Sequence, residues 1–259
     1  MIRILIAALI GIGVVTSFFA SETTSSFAAD NAAARAFQES LRADYRTAQL
    51  FQEALRADNK QAVAKLIRYP LWMEYPLPAI KSAADFIKNW DDFFDAANIK
   101  SLLASKPTQV GWRGVALGPG DVWFDEGRII TLNLRTREFD HKLHEAINRD
   151  NLKVHPSARG YKNIAVTCST PTKDIRIQEH ADGFHYFAWK KDSDHLAKPE
   201  LTLRGTAKFE GSAGLATFTF ERNGYKYLLS QPDICETRIC TYELIVERGG
   251  KKLSTQVCK

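Results

Sequence analysis

The stretch Val110–Leu134, VGWRGVALGPGDVWFDEGRIITLNL, constrains the fold of this chain more than any other. Three apolar, strand-like runs are joined there by Pro119-Gly120 and Glu126-Gly127, pairs suited to tight turns. Trp112, Val115, Leu117, Val122, Phe124, Ile129, Ile130 and Leu132 supply more apolar surface than one exposed sheet face can carry. The runs predict an antiparallel sheet that another element must cover. The helix-forming segments before it are the expected cover, with a cavity between helix and sheet.

From Ala29 to about Asn59 the chain is rich in Ala, Gln, Leu, Arg and Glu, without Gly or Pro, which predicts a helix. Within it FQESLRAD (Phe37–Asp44) recurs as FQEALRAD (Phe51–Asp58), fourteen residues later. That spacing is close to four helical turns, so both Phe-Leu pairs fall on nearly the same face. A duplicated docking helix for a partner is one reading. The simpler one is a duplication that lengthened the helix, since two copies are too few for a solenoid.

Helical pattern continues over Lys60–Arg68 until Tyr69-Pro70. Pro70, Pro76 and Pro78 then predict a rigid connector carrying Leu71, Trp72, Met73 and Tyr75. A second helix is expected from Ser82, capped with Asp85 three residues on, with the apolar stripe Phe86, Trp90, Phe93 and Phe94 and then Ala97 and Leu102. After the sheet, Arg135–Asn151 reads as a charged, solvated helix. His141 and His144 stand on it at a spacing that metal ligands use, but no further ligand motif accompanies them and no metal is expected.

Lys153–Tyr161 is linker-like and sets a domain boundary near residue 155. Beyond it the period changes to two, at Ile164–Val166, Ile175–Ile177, Phe184–Tyr186, Leu201–Leu203, Phe218–Phe220, Tyr225–Tyr227 and Leu244–Val246. Turn signals stand between them at Ala181-Asp182-Gly183, Gly211-Ser212-Ala213-Gly214 and Arg222-Asn223-Gly224. About eight strands predict a small all-β barrel or sandwich.

The N-terminus sets an address. A basic start at Met1–Arg3, the apolar run Ile4–Ala20 and the small-x-small Ser26-Phe27-Ala28 predict a secretory signal peptide cut after Ala28, an uncleaved anchor being the alternative. The expected organisation is a signal peptide over 1–28, an α+β domain over 29–155 and a β-domain over 156–259, placed in a periplasm or secreted, with no membrane segment after cleavage. The even set Cys168, Cys235, Cys240 and Cys258 suits an oxidising compartment. Of its three pairings, Cys235–Cys240 with Cys168–Cys258 is preferred, because it staples a loop and ties the last strand to the first. Cys-x4-Cys with no nearby His is poor zinc spacing. A formal charge of +5 with acids and bases interspersed gives no basic patch, so no nucleic-acid partner is expected. No phosphate loop, Gly-x-Ser-x-Gly elbow or His-Glu-x-x-His motif occurs, and no cofactor is expected.

The order of ALRADNKQAVAKLIRYPL, DFIKNWDDFF and WRGVALGPGDVWFDEGRIITLN resembles the NTF2-like superfamily of cone-shaped α+β domains, which includes SnoaL-like and ketosteroid isomerase-like enzymes, over roughly residues 45–135. Residues 160–259 resemble small disulfide-bonded periplasmic β-domains, lysozyme inhibitors among them. The first resemblance implies a cavity lined by Tyr69, Trp72, Tyr75, Trp90, Trp112 and Trp123, with Arg113, Asp91 and Asp92 as the nearest polar groups. Enzymes of that superfamily move protons with a cavity Asp or His, which makes Asp91, Asp92 and Asp85 the candidates here. Asp85 is accounted for by capping and Asp91-Asp92 by the outer helix face, and no His occurs within residues 29–135. The expectation is an exported, non-catalytic binding or interaction module that takes a small apolar ligand or an envelope protein, a homodimer staying open. The alternatives are a SnoaL-like lyase, isomerase or hydrolase acting through a pocket Asp, and an inhibitor of an envelope hydrolase acting through the β-domain.

Overall fold

The structure, a computed structural model, describes residues 20–111, 113–210, 215–231 and 242–259, with side chains from residue 32 onward. Most of the expected signal peptide, Trp112, the turn at Gly211–Gly214 and the Cys235–Cys240 pair lie outside the described residues. The chain is α+β, with helices in its N-terminal half and a curled antiparallel sheet in its C-terminal half. It divides into two compact units. The first takes Met1–Tyr69, Ser82–Trp90 and Phe94–Leu134, and the second takes Pro70–Lys81, Asp91–Phe93 and Arg135–Lys259.

In the first unit α1 (Ala20–Arg56) is followed by α2 (Lys60–Leu66), α3 (Ala83–Lys88) and α4 (Ala96–Ala104). The sheet runs β1 (Thr108–Gln109), β2 (Val115–Leu117), β3 (Val122–Asp125) and β4 (Arg128–Leu132) in sequential antiparallel order. The turns stand where the Gly pairs place them. Glu126 and Gly127 both have positive φ, the backbone that the twist of a tight hairpin demands. Arg68 holds that hairpin from outside, its Nη1 on Asp125 Oδ2 at 3.2 Å and its Nη2 on Glu126 Oε2 at 2.8 Å.

α1 is fixed to the sheet at both polar and apolar positions. Phe51 is fully buried, with Phe94 and Phe124 each 6.2 Å away between ring centroids. Gln52 Nε2 donates to the carbonyls of Leu102 (2.7 Å) and Ser105 (2.9 Å) at the end of α4, where helical carbonyls lose their regular partners. Asp44 Oδ1 accepts from Gly127 N at 2.7 Å.

The single helix expected from Ser82 is broken into pieces. Ser82 does cap α3, accepting from Asp85 N, but α3 ends at Lys88 and a 3-10 turn spans Trp90–Asp92. Asp95 then turns its carboxylate onto Asn98 N and starts α4 afresh, since a side chain that caps a new N-terminus competes with helix continuation. Phe86, Trp90, Phe93, Phe94 and Leu102 are buried as expected, whereas Ala97 is exposed because the break resets the helical phase.

The second unit opens with α5 (Arg137–Asn151), capped by Thr136, whose Oγ1 accepts from Phe139 N and donates to Asp91 O at 2.7 Å. Phe139, Leu143, Ile147 and Asp150 lie on one buried face of α5. The solvated helix read from its charges is therefore amphipathic, its apolar stripe packing with Tyr161, Ile164, Met73 and Leu77. By its contacts α5 goes with the second unit.

An eight-stranded meander follows: β5 (Asn163–Ser169), β6 (Lys173–His180), β7 (Gly183–Lys190), β8 (Leu201–Glu210), β9 (Leu215–Arg222), β10 (Tyr225–Ser230), β11 (Tyr242–Arg248) and β12 (Lys251–Cys258), each paired with the next. All seven period-two segments lie in β5–β11. Asn223 and Gly224 take the left-handed φ values that close the β9–β10 hairpin. The sheet curls until its ends meet: Ser169 and Lys259 exchange backbone hydrogen bonds of 2.7 and 3.0 Å, and Cys168–Cys258 forms the expected disulfide, with a Cα–Cα distance of 5.3 Å. Inside the curl, Ile175, Ile177, Tyr186, Leu203, Phe218, Phe220 and Leu229 form the core.

Candidate functional site

The second unit holds a cavity of about 410 Å3. Its walls are Tyr75, Thr167–Ser169 of β5, Asp174–Arg176 of β6, Lys191 and His195 from the loop after β7, and Lys259. Register explains the polarity of this wall. Thr167 stands opposite Arg176 and Ser169 opposite Asp174, so these four side chains share the outer face of the sheet, while Cys168 and Ile175 turn into the core. Tyr75 comes from a loop closed at its base by reciprocal backbone hydrogen bonds between Leu71 and Ile80, of 2.8 and 2.9 Å.

Two carboxylates organise the wall. Asp150 stands near the C-terminus of α5, where the helix dipole disfavours an anion. It receives Arg176 Nη2 at 2.5 Å, Tyr161 Oη at 2.6 Å and Tyr75 Oη at 3.2 Å. Burial works against its charged form, but the donors from Arg176, Tyr161 and Tyr75 outweigh burial and hold its carboxyl below the usual range. The Arg176 guanidinium lies 5.8 and 5.7 Å from the Tyr75 and Tyr161 ring centroids, so its charge is also met by π faces. Burial and the adjacent Asp150 push the Tyr161 phenol up, and burial pushes Tyr75 up, so both remain donors.

Asp174 is the second centre. Ser169 Oγ donates to its Oδ1 at 2.6 Å, Lys191 Nζ at 3.2 Å, and the backbone N–H of Asp192 to its Oδ2 at 2.8 Å. Burial opposes its charge, but the Ser169, Asp192 and Lys191 donors outweigh that and lower its pKa. His195 Nε2 lies 3.7 Å from Asp174 Oδ2, and its ring stacks on Trp189 at 4.6 Å.

Ser, His and Asp therefore meet in this cavity in an order that does not activate a nucleophile. Catalysis by such a trio needs the imidazole beside the hydroxyl, with the carboxylate behind the imidazole. Here Ser169 gives its proton directly to the carboxylate, which lies between the other two.

The residues expected to line an apolar hollow have individual surroundings. Tyr69 is half-buried and donates to Ala64 O at 3.0 Å; burial and Asp85 push its phenol up to about 12. Trp90 is 5% exposed, packed at 4.2 Å on Phe94 and 5.8 Å on Phe86 with the Lys60 ammonium 5.2 Å over its ring. Trp123 is half-buried beside Gly120, and Arg113 is half-buried. Trp72 and Tyr75 belong to the second unit, at 55% and 41% exposure. Asp85 and Asp91 are exposed. Asp92 is 3% exposed, but Lys142 Nζ neutralises it at 2.5 Å, which is an ion pair and not an acid in an apolar pocket. His141 sits on the exposed side of α5 with Glu145 at 3.7 Å, and among the described residues no three His, Cys, Asp or Glu gather as a ligand set.

Asp150, Arg176, Asp174 and His195 escape a reading by period and motif. One signal was present: Asp150 continues the Phe139, Leu143, Ile147 stripe, and a carboxylate on an apolar stripe calls for hydrogen-bond donors or a cation from elsewhere in the fold. Among the described residues no helix is long and apolar enough to cross a membrane. Compared with protein-family models, curated proteins and solved structures, the chain matches none of them.

Proposed function

We propose that this chain is an exported, non-catalytic binding module and that its ligand site is the polar cavity around Tyr75, Arg176 and Asp174. The observation that supports this most is the pairing of the cavity walls. Both acids are held by protein donors, so the wall is ordered before a ligand arrives, and the hydroxyl beside Asp174 meets a carboxylate where an activated serine would meet an imidazole. The ligand suited to this wall is a small polar molecule with hydrogen-bonding groups for Thr167, Ser169, Arg176 and Lys259 and a face for the Tyr75 ring. This differs from the apolar ligand read from the sequence, because the wall alternates donors and acceptors.

Export is supported by the leader-like pattern of residues 1–28 and by the Cys168–Cys258 bridge. The NTF2-like assignment of the first unit belongs to the same proposal; α1 against a small antiparallel sheet with a register shift between Trp123 and Phe124 supports it. The test is a thermal-shift screen of the disulfide-bonded protein against hydroxylated and carboxylated small molecules, repeated with Tyr75→Ala. Stabilisation by a compound class that Tyr75→Ala abolishes is the expected result. No shift with any compound, or turnover of one, overturns the proposal.

A further inference from the structure

The two copies of the α1 octapeptide have different surroundings. From the last residue of the outer copy into the inner one, Asp44, Thr47, Ala48, Phe51, Gln52, Ala54 and Leu55 are buried within the first unit. Fourteen residues earlier stand Asp30, Ala33, Ala34, Phe37, Gln38, Ser40 and Leu41. Asp, Ala, Phe, Gln and Leu are thus repeated, and only Thr47/Ala33 and Ala54/Ser40 differ. Yet Ala33, Ala34, Phe37 and Gln38 are exposed, Phe37 at 39%, on a helix that continues unbroken from the docked part.

The repeat reaches beyond the apolar pattern. Asp44 answers the Gly127 N–H, and Gln52 answers two carbonyls at the end of α4. A self-pairing helical seam needs neither group, whereas a second occupant of this seat needs both. We propose that α1 carries two interchangeable docking faces and that residues 30–41 of one protomer take the seat of residues 44–55 in a second copy of this chain. Gln38 then caps α4 of the second copy, and Phe37 lies between its Phe94 and Phe124. Among the described residues, the hydrogen bond from Thr47 Oγ1 to Gly127 O has no counterpart at Ala33. Exchange within one chain would require Ala43–Arg56 to leave the helix as a loop, breaking its hydrogen bonds; exchange between two chains leaves α1 helical.

Sedimentation of the full chain over a wide concentration range tests this. The wild type is expected to show a concentration-dependent dimer, and Phe37→Ala/Leu41→Ala to remain a folded monomer throughout. Phe51→Ala/Leu55→Ala, with the inner face emptied, is expected to shift toward the dimer, with a urea midpoint that rises with protein concentration. A wild type that is monomeric at every concentration, or a dimer that persists in Phe37→Ala/Leu41→Ala, overturns the proposal. So does a Phe51→Ala/Leu55→Ala variant that folds as a monomer. If that variant does not fold, the first comparison alone decides.

Discussion

Arg176 Nη2 meets Asp150 Oδ2 at 2.5 Å, with both side chains less than a tenth exposed. An ion pair this deep adds little net stability over an apolar pair, but breaking one half strands the other. Arg176→Met is expected to cost about 3–5 kcal/mol, and Arg176→Met with Asp150→Leu substantially less. Urea titrations of the three proteins at neutral pH measure both. An additive double variant would mean that the two residues do not act as a pair.

Acid should find the same group. The folded pKa of Asp150 lies below its ordinary 3.8, so its contribution to stability is complete above that value and is lost as pH falls through it toward the folded value. Asp150→Asn is expected to flatten this acid limb in urea midpoints followed against pH.

Asp44 runs in the opposite direction. Burial raises its pKa from 3.8, only partly offset by the Gly127 N–H, and its Oδ2 has no partner. Protonation therefore favours the folded state, and that contribution is lost as pH rises from 3.8 through the raised value. Asp44→Asn keeps an acceptor for Gly127 and removes the charge, so it is expected to abolish this loss. The carboxyl carbon chemical shift of Asp44, titrated by NMR, reports the same midpoint directly.

Gly205 stands in β8 between Phe184 of β7 and Phe220 of β9. A Cβ there would fall 2.0 Å from Thr219 O and 2.4 Å from Phe220 Cδ1. Gly205→Ala is expected to destabilise the protein by about 1–3 kcal/mol, the usual cost of overpacking. A thermal midpoint equal to that of the wild type would show that the strands separate freely at this point.

Cys168–Cys258 closes a sequence separation of 90 residues. In the chain-entropy account a bridge of that span contributes about 4–5 kcal/mol. Cys168→Ala/Cys258→Ala is therefore expected to lower the urea midpoint markedly and to loosen Ser169 and Lys259 first, which hydrogen exchange at their amides reads out.

Strands and turns were legible because their causes are local. A period of two and an Asn-Gly or Glu-Gly pair act within a few residues, and the meander follows from short connections between neighbours. The break at Asp95 was equally local but was masked by an apolar stripe that runs on past it. The cavity was not legible. Arg176 and Asp150 are 26 residues apart, and Tyr75 is 75 residues from the acid that holds it, so neither pairing leaves a periodic trace.

The α1 repeat separates the two kinds of information. Sequence alone determined that both octapeptides are helical and present Phe and Leu on one face, since propensity and period belong to the segment itself. Only the tertiary structure decided that Phe51 is buried and Phe37 is not. Burial depends on what stands opposite, and the fold provides one seat between Phe94 and Phe124 for two nearly identical faces.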